Sequence, residues 1–510
     1  MTVERTHDII LAGTKMSRRF LIMETENRKI IFIRFCTIMA ALVVTIGLVG
    51  CRRDGASDSG VESGGMPDLP DSSVIDAPDY EPPEQPDGIE EKSAEEKTDE
   101  PEKDTLRVYM DKFGVVPLFE AQNSLIDVTV LITDDRVEEG FNARDDLIER
   151  LRNAEEEDLP DVIILRTGDP WKGTDGLLNL TELAEEGLFF NLDDLNISLT
   201  ACNSMVMEAG IYEGKRIYLP LQYSVGMLYT TEERLEASGI RHEEGMDLEH
   251  FSSFFPEFYR LNPYLNAFRN NWYTDVMCAL SGLDLRSDSA ETRAASESLC
   301  RAYNDLFPGI RDDTARYVLN SRPWYAGTLE ESWETGDLLF LSGFSTGGDR
   351  DFLRMLTDFY DRDTKKGEHP LLFPMPTLDG GAPYPMPTYA VAVSRRTEHP
   401  EAAAEFIRFL LDKQTQIRTT LGGIPVNLYA LDYWHSVFGG YTTENGAEAD
   451  MDAAFVDRYF EIVEFVRSPV WWDAESGAML TECALTMAEN GGDFEAAYEP
   501  VREKLNEYFK

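Results

Sequence analysis

The sequence predicts an α/β fold that is large enough for two lobes. Three short apolar runs rich in strand-forming residues open the folded part, at residues 106–110, 128–132 and 162–165. Between the second and third runs lies a segment with helical spacing and one apolar face, formed by Leu147, Ile148 and Leu151. This order is typical of a mainly parallel sheet that helices cover on both sides and that binds ligands beyond the carboxyl ends of its strands. About 400 residues follow the first 104, which suffices for two lobes of ordinary size.

A short apolar segment behind basic residues precedes this folded part. Residues 35–50 are mostly apolar and follow Arg28, Lys29 and Arg34. These sixteen residues are fewer than the ~20 that a helix needs to span a bilayer. The segment therefore predicts a signal peptide over residues 1–50. An uncleaved N-terminal membrane anchor is the alternative, and both versions place the folded part outside the cytoplasmic membrane.

The apolar segment ends in Leu48-Val49-Gly50-Cys51, which resembles the lipobox of bacterial lipoproteins. In a lipobox the cysteine sulfur receives a diacylglycerol, and the chain is cleaved before that cysteine. Two buried acyl chains, at ~0.8 kcal/mol per methylene, anchor a protein stably. The resemblance implies that Cys51 is the lipidated first residue of the mature protein, and that the protein contacts the membrane through this anchor alone.

Residues 51–104 predict a disordered acidic tether. They are rich in Asp, Glu, Pro, Ser and Gly, and Tyr80 is their only aromatic residue, so they cannot bury enough apolar surface to offset the entropy of ordering. The whole chain has 94 acidic and 47 basic residues, a formal net charge of -47. This balance argues against nucleic acid and anionic lipid surfaces as partners, and it leaves cationic solutes such as polyamines open.

The spacing of cysteine and histidine predicts no metal site and no cofactor. Beyond residue 51 the chain keeps Cys202, Cys278, Cys300 and Cys483, which are far apart and have no histidine at ligand spacing. Zinc signatures, Gly-rich phosphate loops and dinucleotide fingerprints are absent from the sequence. We expect buried free thiols, and the oxidising compartment leaves a disulfide open.

The rest of the chain carries a series of short motifs in a fixed order. The first is Glu-Gly-Lys-Arg-Ile-Tyr-Leu-Pro at residues 213–220, followed by Tyr229 and a helical segment at 232–238 that ends before Gly239-Ile240. The later motifs lie at residues 338–348, 389–393, 399–406, 423–427 and 478–509. Together they resemble family 1 extracellular solute-binding proteins, the capture subunits of ABC importers. Thr230-Thr231 replaces the family's Asn-Lys after Tyr229, which leaves the subgroup open.

The resemblance implies a two-lobed α/β fold of the periplasmic-binding-protein type (class II), with a ligand cleft between lobes that the chain joins by several crossings. Lobe one would comprise residues 105–221 and 388–432, and lobe two residues 222–387 and 433–510. It also implies a monomer that delivers a small solute, a sugar or oligosaccharide, to the transmembrane subunits of an ABC permease. Helical spacing after Pro400 agrees, because it gives a helix one core-facing stripe of Ala402, Phe406, Phe409 and Leu410.

Aromatic residues are the candidate ligand contacts. Sugars present apolar C–H faces ringed by hydroxyl groups, so a sugar site needs flat aromatic side chains with polar groups at their edges. By position in the family pattern, the resemblance assigns this role to Asp169, Trp171, Tyr223, Trp272 or Tyr273, Phe344, and Trp471 or Trp472. Neighbouring aromatic residues point different ways, so at most one of each pair stacks on the ligand. Core or surface packing is the alternative for each.

An enzyme remains the alternative outside the binding class. Residues 343–347, Gly-Phe-Ser-Thr-Gly, match the G-x-S-x-G nucleophile elbow between a strand and a helical segment, which would make Ser345 a hydrolase nucleophile. A triad also needs an acid and a downstream histidine, and His369, His399 and His435 have no supporting pattern. We therefore interpret the chain as a lipid-anchored solute-binding protein without catalytic residues.

Overall fold

The computed structural model describes residues 103–109, 114–131, 143–155, 158–166, 180–241, 243, 245–262, 266–268, 282–307, 333–336, 338–343, 349–418, 423–438, 451–471 and 474–509. These residues belong to one compact unit, Lys97–Lys510. The leader, Cys51 and nearly all of the predicted tether lie outside the described residues.

The described residues contain twelve strands. They are β1 (Asp104–Tyr109), β2 (Ile126–Val130), β3 (Val162–Arg166), β4 (Ile211–Tyr212), β5 (Lys215–Arg216), β6 (Leu219–Ser224), β7 (Met227–Thr231), β8 (Asn266–Phe268), β9 (Leu338–Gly343), β10 (Pro370–Pro374), β11 (Met386–Val393) and β12 (Ile424–Pro425). The three apolar runs at the start of the folded part correspond to β1, β2 and β3, with their ends displaced by a residue or two.

Six of these strands form the larger sheet, in the order β12-β6-β11-β3-β1-β2. β1 pairs in parallel with β2 and β3, as the sequence predicts, whereas β11 runs antiparallel to β3 and β6. The expectation of a mainly parallel sheet is therefore wrong for the half of the sheet that contains β12, β6 and β11. The physical reason is that the chain leaves β6 and returns at β11 through another sheet, and not through the helical crossover that parallel neighbours need.

That other sheet has four described strands in the order β10-β7-β9-β8. β7 is antiparallel to β10 and β9, and β8 is parallel to β9. β4 and β5 form a separate hairpin whose two turn residues, Glu213 and Gly214, have φ of 48° and 77°. Positive φ at both positions is the requirement of a two-residue hairpin turn, which accounts for Glu-Gly in the first motif.

Fourteen helices lie in the described part of the chain. They are α1 (Val116–Gln122), α2 (Ala143–Asn153), α3 (Leu180–Glu185), α4 (Glu232–Ser238), α5 (Leu248–Ser252), α6 (Phe255–Leu261), α7 (Ala290–Leu306), α8 (Asp349–Lys366), α9 (Pro400–Leu411), α10 (Lys413–Arg418), α11 (Leu428–Phe438), α12 (Ala453–Glu464), α13 (Ala474–Glu489) and α14 (Phe494–Tyr508). Short 3-10 helices occur at Leu192–Leu195 and Val206–Gly210.

Local signals account for two of the predicted helices. α4 begins where the Thr231 side chain accepts a hydrogen bond from the Arg234 N–H, and it ends at Gly239, whose φ is 74°. α9 has Pro400 in its first turn and buries the predicted stripe, including Phe406 and Leu410. Both helices could be predicted because the residues that cap them or form their apolar faces lie within or next to each helix in the sequence.

Three clusters of buried residues form the core. One lies against a face of each sheet and includes α9 and α12. A second packs the opposite face of the smaller sheet against α7, α13 and α14, and a third covers the opposite face of the larger sheet. β11 shows the division, because Val391 and Val393 belong to the first cluster and Ala390 and Ala392 to the third.

Candidate functional site

Three neighbouring segments of the chain lie where the two sheets meet. We call residues 225–226, between β6 and β7, the first crossing, and residues 375–385, between β10 and β11, the second crossing. The third crossing, residues 465–471, leads from α12 to α13. The Met375 N–H donates to the Gly226 carbonyl oxygen at 2.8 Å, and the Arg467 N–H donates to the Pro383 carbonyl oxygen at 3.0 Å. Main-chain hydrogen bonds therefore hold the crossings side by side.

Three strands of the larger sheet end at the edge that lies next to these crossings. β11 starts from the second crossing and is antiparallel to β3 and β6, so the carboxyl ends of those two strands lie at the edge from which the crossings leave. β1 is parallel to β3 and ends at the same edge. The loop with Asp169 and Trp171 follows β3 directly, and both residues lie outside the described residues.

The smaller sheet has one described strand, β9, that ends beside the same crossings. Gly343, the last residue of β9, pairs with Met227, which follows the first crossing directly. Phe344 and Ser345 come next in the sequence and lie outside the described residues. The last described residue before them therefore lies beside the first crossing.

Tyr223 lies in the core cluster that both sheets share. Its side chain is fully buried, and its hydroxyl donates to the Val463 carbonyl oxygen of α12 at 2.7 Å. In this conformation the ring presents no face to solvent. The structure thus ties Tyr223, which precedes the first crossing, to α12, which precedes the third.

Trp471 lies at the end of the third crossing and is also buried. Its indole Nε1 donates to the Thr181 hydroxyl at 3.0 Å, and its ring centroid lies 4.7 Å from that of Tyr212. It belongs to the cluster on the larger sheet with Tyr218 and Ala390. The side chain therefore packs among residues of the predicted lobe one, although its place in the sequence falls within the predicted lobe two.

The remaining candidate contacts, Trp272, Tyr273 and Trp472, lie outside the described residues. In the described part of the chain, Tyr223 and Trp471 belong to core clusters on opposite faces of the larger sheet, so the structure does not bring them together. Both stay predictions as ligand contacts. Because both side chains are buried, a ligand reaches either of them only after a change of conformation.

A pocket of about 280 Å³ lies beside the second crossing. Its walls come from residues 374–376 and 380–383 and from α12, whose Arg458 pairs with Glu461 at 2.6 Å. Phe465 lines the pocket and is 67% exposed. The sequence did not single out any of these residues, since the pocket depends on how α12 packs against a distant turn.

A buried polar cluster behind the smaller sheet was also missed. The Asp363 carboxylate, fully buried in α8, accepts hydrogen bonds from the Tyr229 hydroxyl at 2.7 Å and from the Trp333 indole at 3.1 Å. Burial raises the pKa of Asp363 and that of Tyr229. The sequence signal was present, because Asp363 continues the apolar spacing of Leu356 and Phe359 along α8. The cluster ties α8 to β7 and to the segment with Trp333, and so supports the fold.

The cysteines behave as buried thiols where they are described. Cys202, Cys300 and Cys483 are free and buried, and desolvation raises the pKa of Cys202 to about 11. Cys278 lies outside the described residues. Within the described ranges no cluster of three or more His, Cys, Asp or Glu side chains could hold a metal ion. No helix in those ranges is both long and apolar enough to cross a membrane.

Comparison with known proteins identifies the fold. No protein-family model and no curated protein matches the sequence. Among solved structures, the chain is similar to the sugar-binding protein MalE from Xanthomonas citri, with a TM-score of 0.53 and 16% identity over 79% of this chain and 97% of that one. It is similar at a TM-score of 0.52 and 17% identity to a candidate oligosaccharide periplasmic-binding protein from Synechococcus, over 79% and 98% of the two chains.

A designed protein shares the same architecture. A de novo designed cysteine esterase matches with a TM-score of 0.52 and 14% identity, over 80% of this chain and 99% of that one. At these identities the similarity establishes the fold. The chain has the two-lobed α/β fold of MalE-like periplasmic binding proteins, which confirms the fold class predicted from sequence.

Proposed function

We propose that this protein captures a small solute, a sugar or short oligosaccharide, outside the cytoplasmic membrane and delivers it to an ABC permease. One observation carries the proposal. The carboxyl ends of β1, β3 and β6 and the end of β9 all lie beside the crossings, and β3 and β9 are the strands that precede Trp171 and Phe344 in the sequence. A cleft at such a junction is where α/β folds bind ligands.

The proposed mechanism is hinge closure. A ligand that touches both lobes favours the closed state by the difference between its contacts in the closed and the open state. The crossings are the connections about which such a movement would take place. Asp169, Trp171, Trp272 or Tyr273, and Phe344 are the proposed contacts, with Tyr223 and one of Trp471 and Trp472 joining them on closure. The protein performs no chemistry in this proposal.

The ligand class can be tested by thermal shift on the full chain. A ligand present at 100 times its dissociation constant adds ~2.7 kcal/mol to the free energy of unfolding. We expect stabilisation by one or more neutral saccharides from a panel of mono-, di- and oligosaccharides. Polyamines form the second arm, because the net charge of -47 favours cationic ligands. Stabilisation by spermidine and by no saccharide would mean that the ligand is a polyamine and not a sugar.

The hydrolase alternative rests on Ser345 in its G-x-S-x-G loop and can be separated from binding. If Phe344 stacks on the ligand, Phe344→Ala weakens affinity by ~1–3 kcal/mol, as expected for truncation of a buried aromatic contact, and Ser345→Ala has little effect. If Ser345 is a nucleophile, Ser345→Ala abolishes turnover of a chromogenic ester and leaves binding intact. Ester turnover that depends on Ser345 would overturn the binding proposal.

The proposed anchor is testable at one residue. Cys51→Ser removes the sulfur that would carry the diacylglycerol, so incorporation of labelled palmitate should disappear while thermal unfolding of the folded part stays unchanged. Labelling that persists in Cys51→Ser would show that the lipid is attached to another residue and would contradict the assignment of Cys51.

A further inference from the structure

We infer that Arg467 is a positioning residue that fixes the second crossing against the third and thereby sets the angle between the two sheets. The inference rests on the proposed function, since the angle matters through the cleft. The Arg467 guanidinium Nη1 donates to both carboxylate oxygens of Asp379, at 2.9 and 2.7 Å, and lies 3.1 Å from the Tyr384 hydroxyl. We call Arg467, Asp379 and Tyr384 the crossing cluster.

The backbone around the crossing cluster is shaped to its side chains. A Cβ on Gly381 would overlap the Arg467 guanidinium, and a Cβ on Gly282 would overlap the Tyr384 ring. Gly381 and Gly282 are therefore positions where glycine allows close approach to the cluster. The guanidinium packs directly against the second crossing, and this contact restricts the crossing more than an exposed ion pair alone would.

Hydrogen bonds within the second crossing orient the Asp379 carboxylate toward Arg467. Asp379 Oδ1 accepts from the Thr377 hydroxyl at 3.0 Å and from the Gly381 N–H at 3.2 Å. The hydrogen bonds from Arg467 lower the pKa of Asp379, so the carboxylate is ionised at neutral pH. The guanidinium carbon also lies 5.4 Å from the centre of the Tyr384 ring, within cation–π range.

The position of the crossing cluster gives it a role beyond stability. Its members come from the second and third crossings, which lie between the sheets. Gly282, which packs against the Tyr384 ring, comes from the part of the chain just before α7. If the second crossing is already ordered in the free protein, ligand binding does not have to order it. Loss of the cluster should therefore loosen the angle between the sheets and weaken ligand binding.

A matched control exists in the C-terminal helix. Arg502 pairs with Asp288 at 3.1 Å and with Glu499, and its side chain is 31% exposed, against 32% for Arg467. Exposed ion pairs contribute little to folding, so Arg467→Gln and Arg502→Gln should have similar melting temperatures. Only Arg467→Gln should change the angle between the sheets.

The test is a distance measurement on the full chain without ligand. Spin labels carried by noncanonical amino acids replace Glu401 in α9 and Ala294 in α7, both exposed, and double electron–electron resonance gives the distance distribution. We expect a narrow distribution in the parent and in Arg502→Gln, and a broader one in Arg467→Gln. Arg467→Lys, which keeps the charge, should restore part of the narrowing, and Asp379→Asn should broaden the distribution if Arg467→Gln does not fold.

Affinity provides the second readout. For any saccharide that stabilises the parent, Arg467→Gln should raise the dissociation constant by about twofold to fivefold, and Arg502→Gln should leave it unchanged. An unchanged distance distribution in Arg467→Gln, or equal broadening in Arg502→Gln, would overturn the inference. Failure of every saccharide to bind would refute the proposed function and leave the distance test intact, because that test needs no ligand.

Discussion

Removal of one hydroxyl group separates the two roles open to Tyr223. Tyr223→Phe keeps the ring and deletes the hydroxyl that donates to the Val463 carbonyl oxygen at 2.7 Å. Both residues are fully buried, so no water replaces the lost donor. A buried hydrogen bond contributes about 0.5–1.5 kcal/mol, and an orphaned buried carbonyl adds to the loss, so we expect the free energy of unfolding to fall by about 1–2 kcal/mol.

The assay is urea unfolding followed by tryptophan fluorescence, together with calorimetric titration of a bound saccharide. The denaturation midpoint should fall with no change in the slope, and the affinity should stay the same. Tyr259→Phe is the matched control, because its hydroxyl donates to the Leu306 carbonyl oxygen at 2.8 Å in α7, away from the crossings. It should lower stability by no more than Tyr223→Phe, since Tyr259 is only partly buried.

Two outcomes would refute this reasoning. Unchanged stability in Tyr223→Phe would mean that the hydrogen bond to α12 contributes nothing. Unchanged stability with a loss of affinity would mean that the Tyr223 hydroxyl binds the ligand, and that the buried position belongs to the unliganded form alone.

Two further predictions concern stability and titration. Asp363→Ala leaves two buried donors without their acceptor and should lower the free energy of unfolding by at least about 2 kcal/mol in urea, whereas Asp361→Ala, on the exposed side of the same helix, should cost less than about 0.5 kcal/mol. The main-chain N–H of His369 donates to the Glu233 carboxylate at 2.9 Å, and the imidazole Nδ1 of His369 lies 2.6 Å from the same carboxylate. These contacts lower the pKa of Glu233 to about 2 and raise that of His369. An NMR titration should therefore find His369 above its ordinary pKa of ~6.5, and Glu233→Gln should bring it back. Because the folded-state pKa of His369 is raised and that of Glu233 is lowered, the stabilisation from this pair is complete between the unfolded-state values of Glu and His, about 4.3 and 6.5. It is lost as pH rises through the folded-state pKa of His369 or falls through that of Glu233. An ordinary pKa for His369 in the unaltered chain would contradict the assignment.

Elements with local signals could be predicted from the sequence. The sequence predicted the helix at residues 232–238 with the bounds of α4, because Thr231 caps its start and Gly239 ends it. The helix after Pro400 followed from its apolar stripe. The order of motifs along the chain, each of them weak alone, indicated the fold that the solved structures share.

Features that depend on long-range packing could not be predicted. The pairing of β11 with β6 and with β3 joins segments about 170 and about 225 residues apart, and no local pattern specifies it. An aromatic residue at the end of a strand has the same sequence signal whether it faces a ligand or the core, so both roles stayed open for Tyr223. Arg467 has no sequence signal, because its partners Asp379 and Tyr384 meet it only in the fold.

The most direct test of the proposed function is calorimetric titration of the full chain with the neutral oligosaccharides that stabilise it in the thermal-shift panel. The account predicts saturable binding of one oligosaccharide per chain, weakened by ~1–3 kcal/mol in Phe344→Ala and unchanged in Ser345→Ala. Absence of heat with every saccharide, together with binding of spermidine or turnover of an ester, would contradict it.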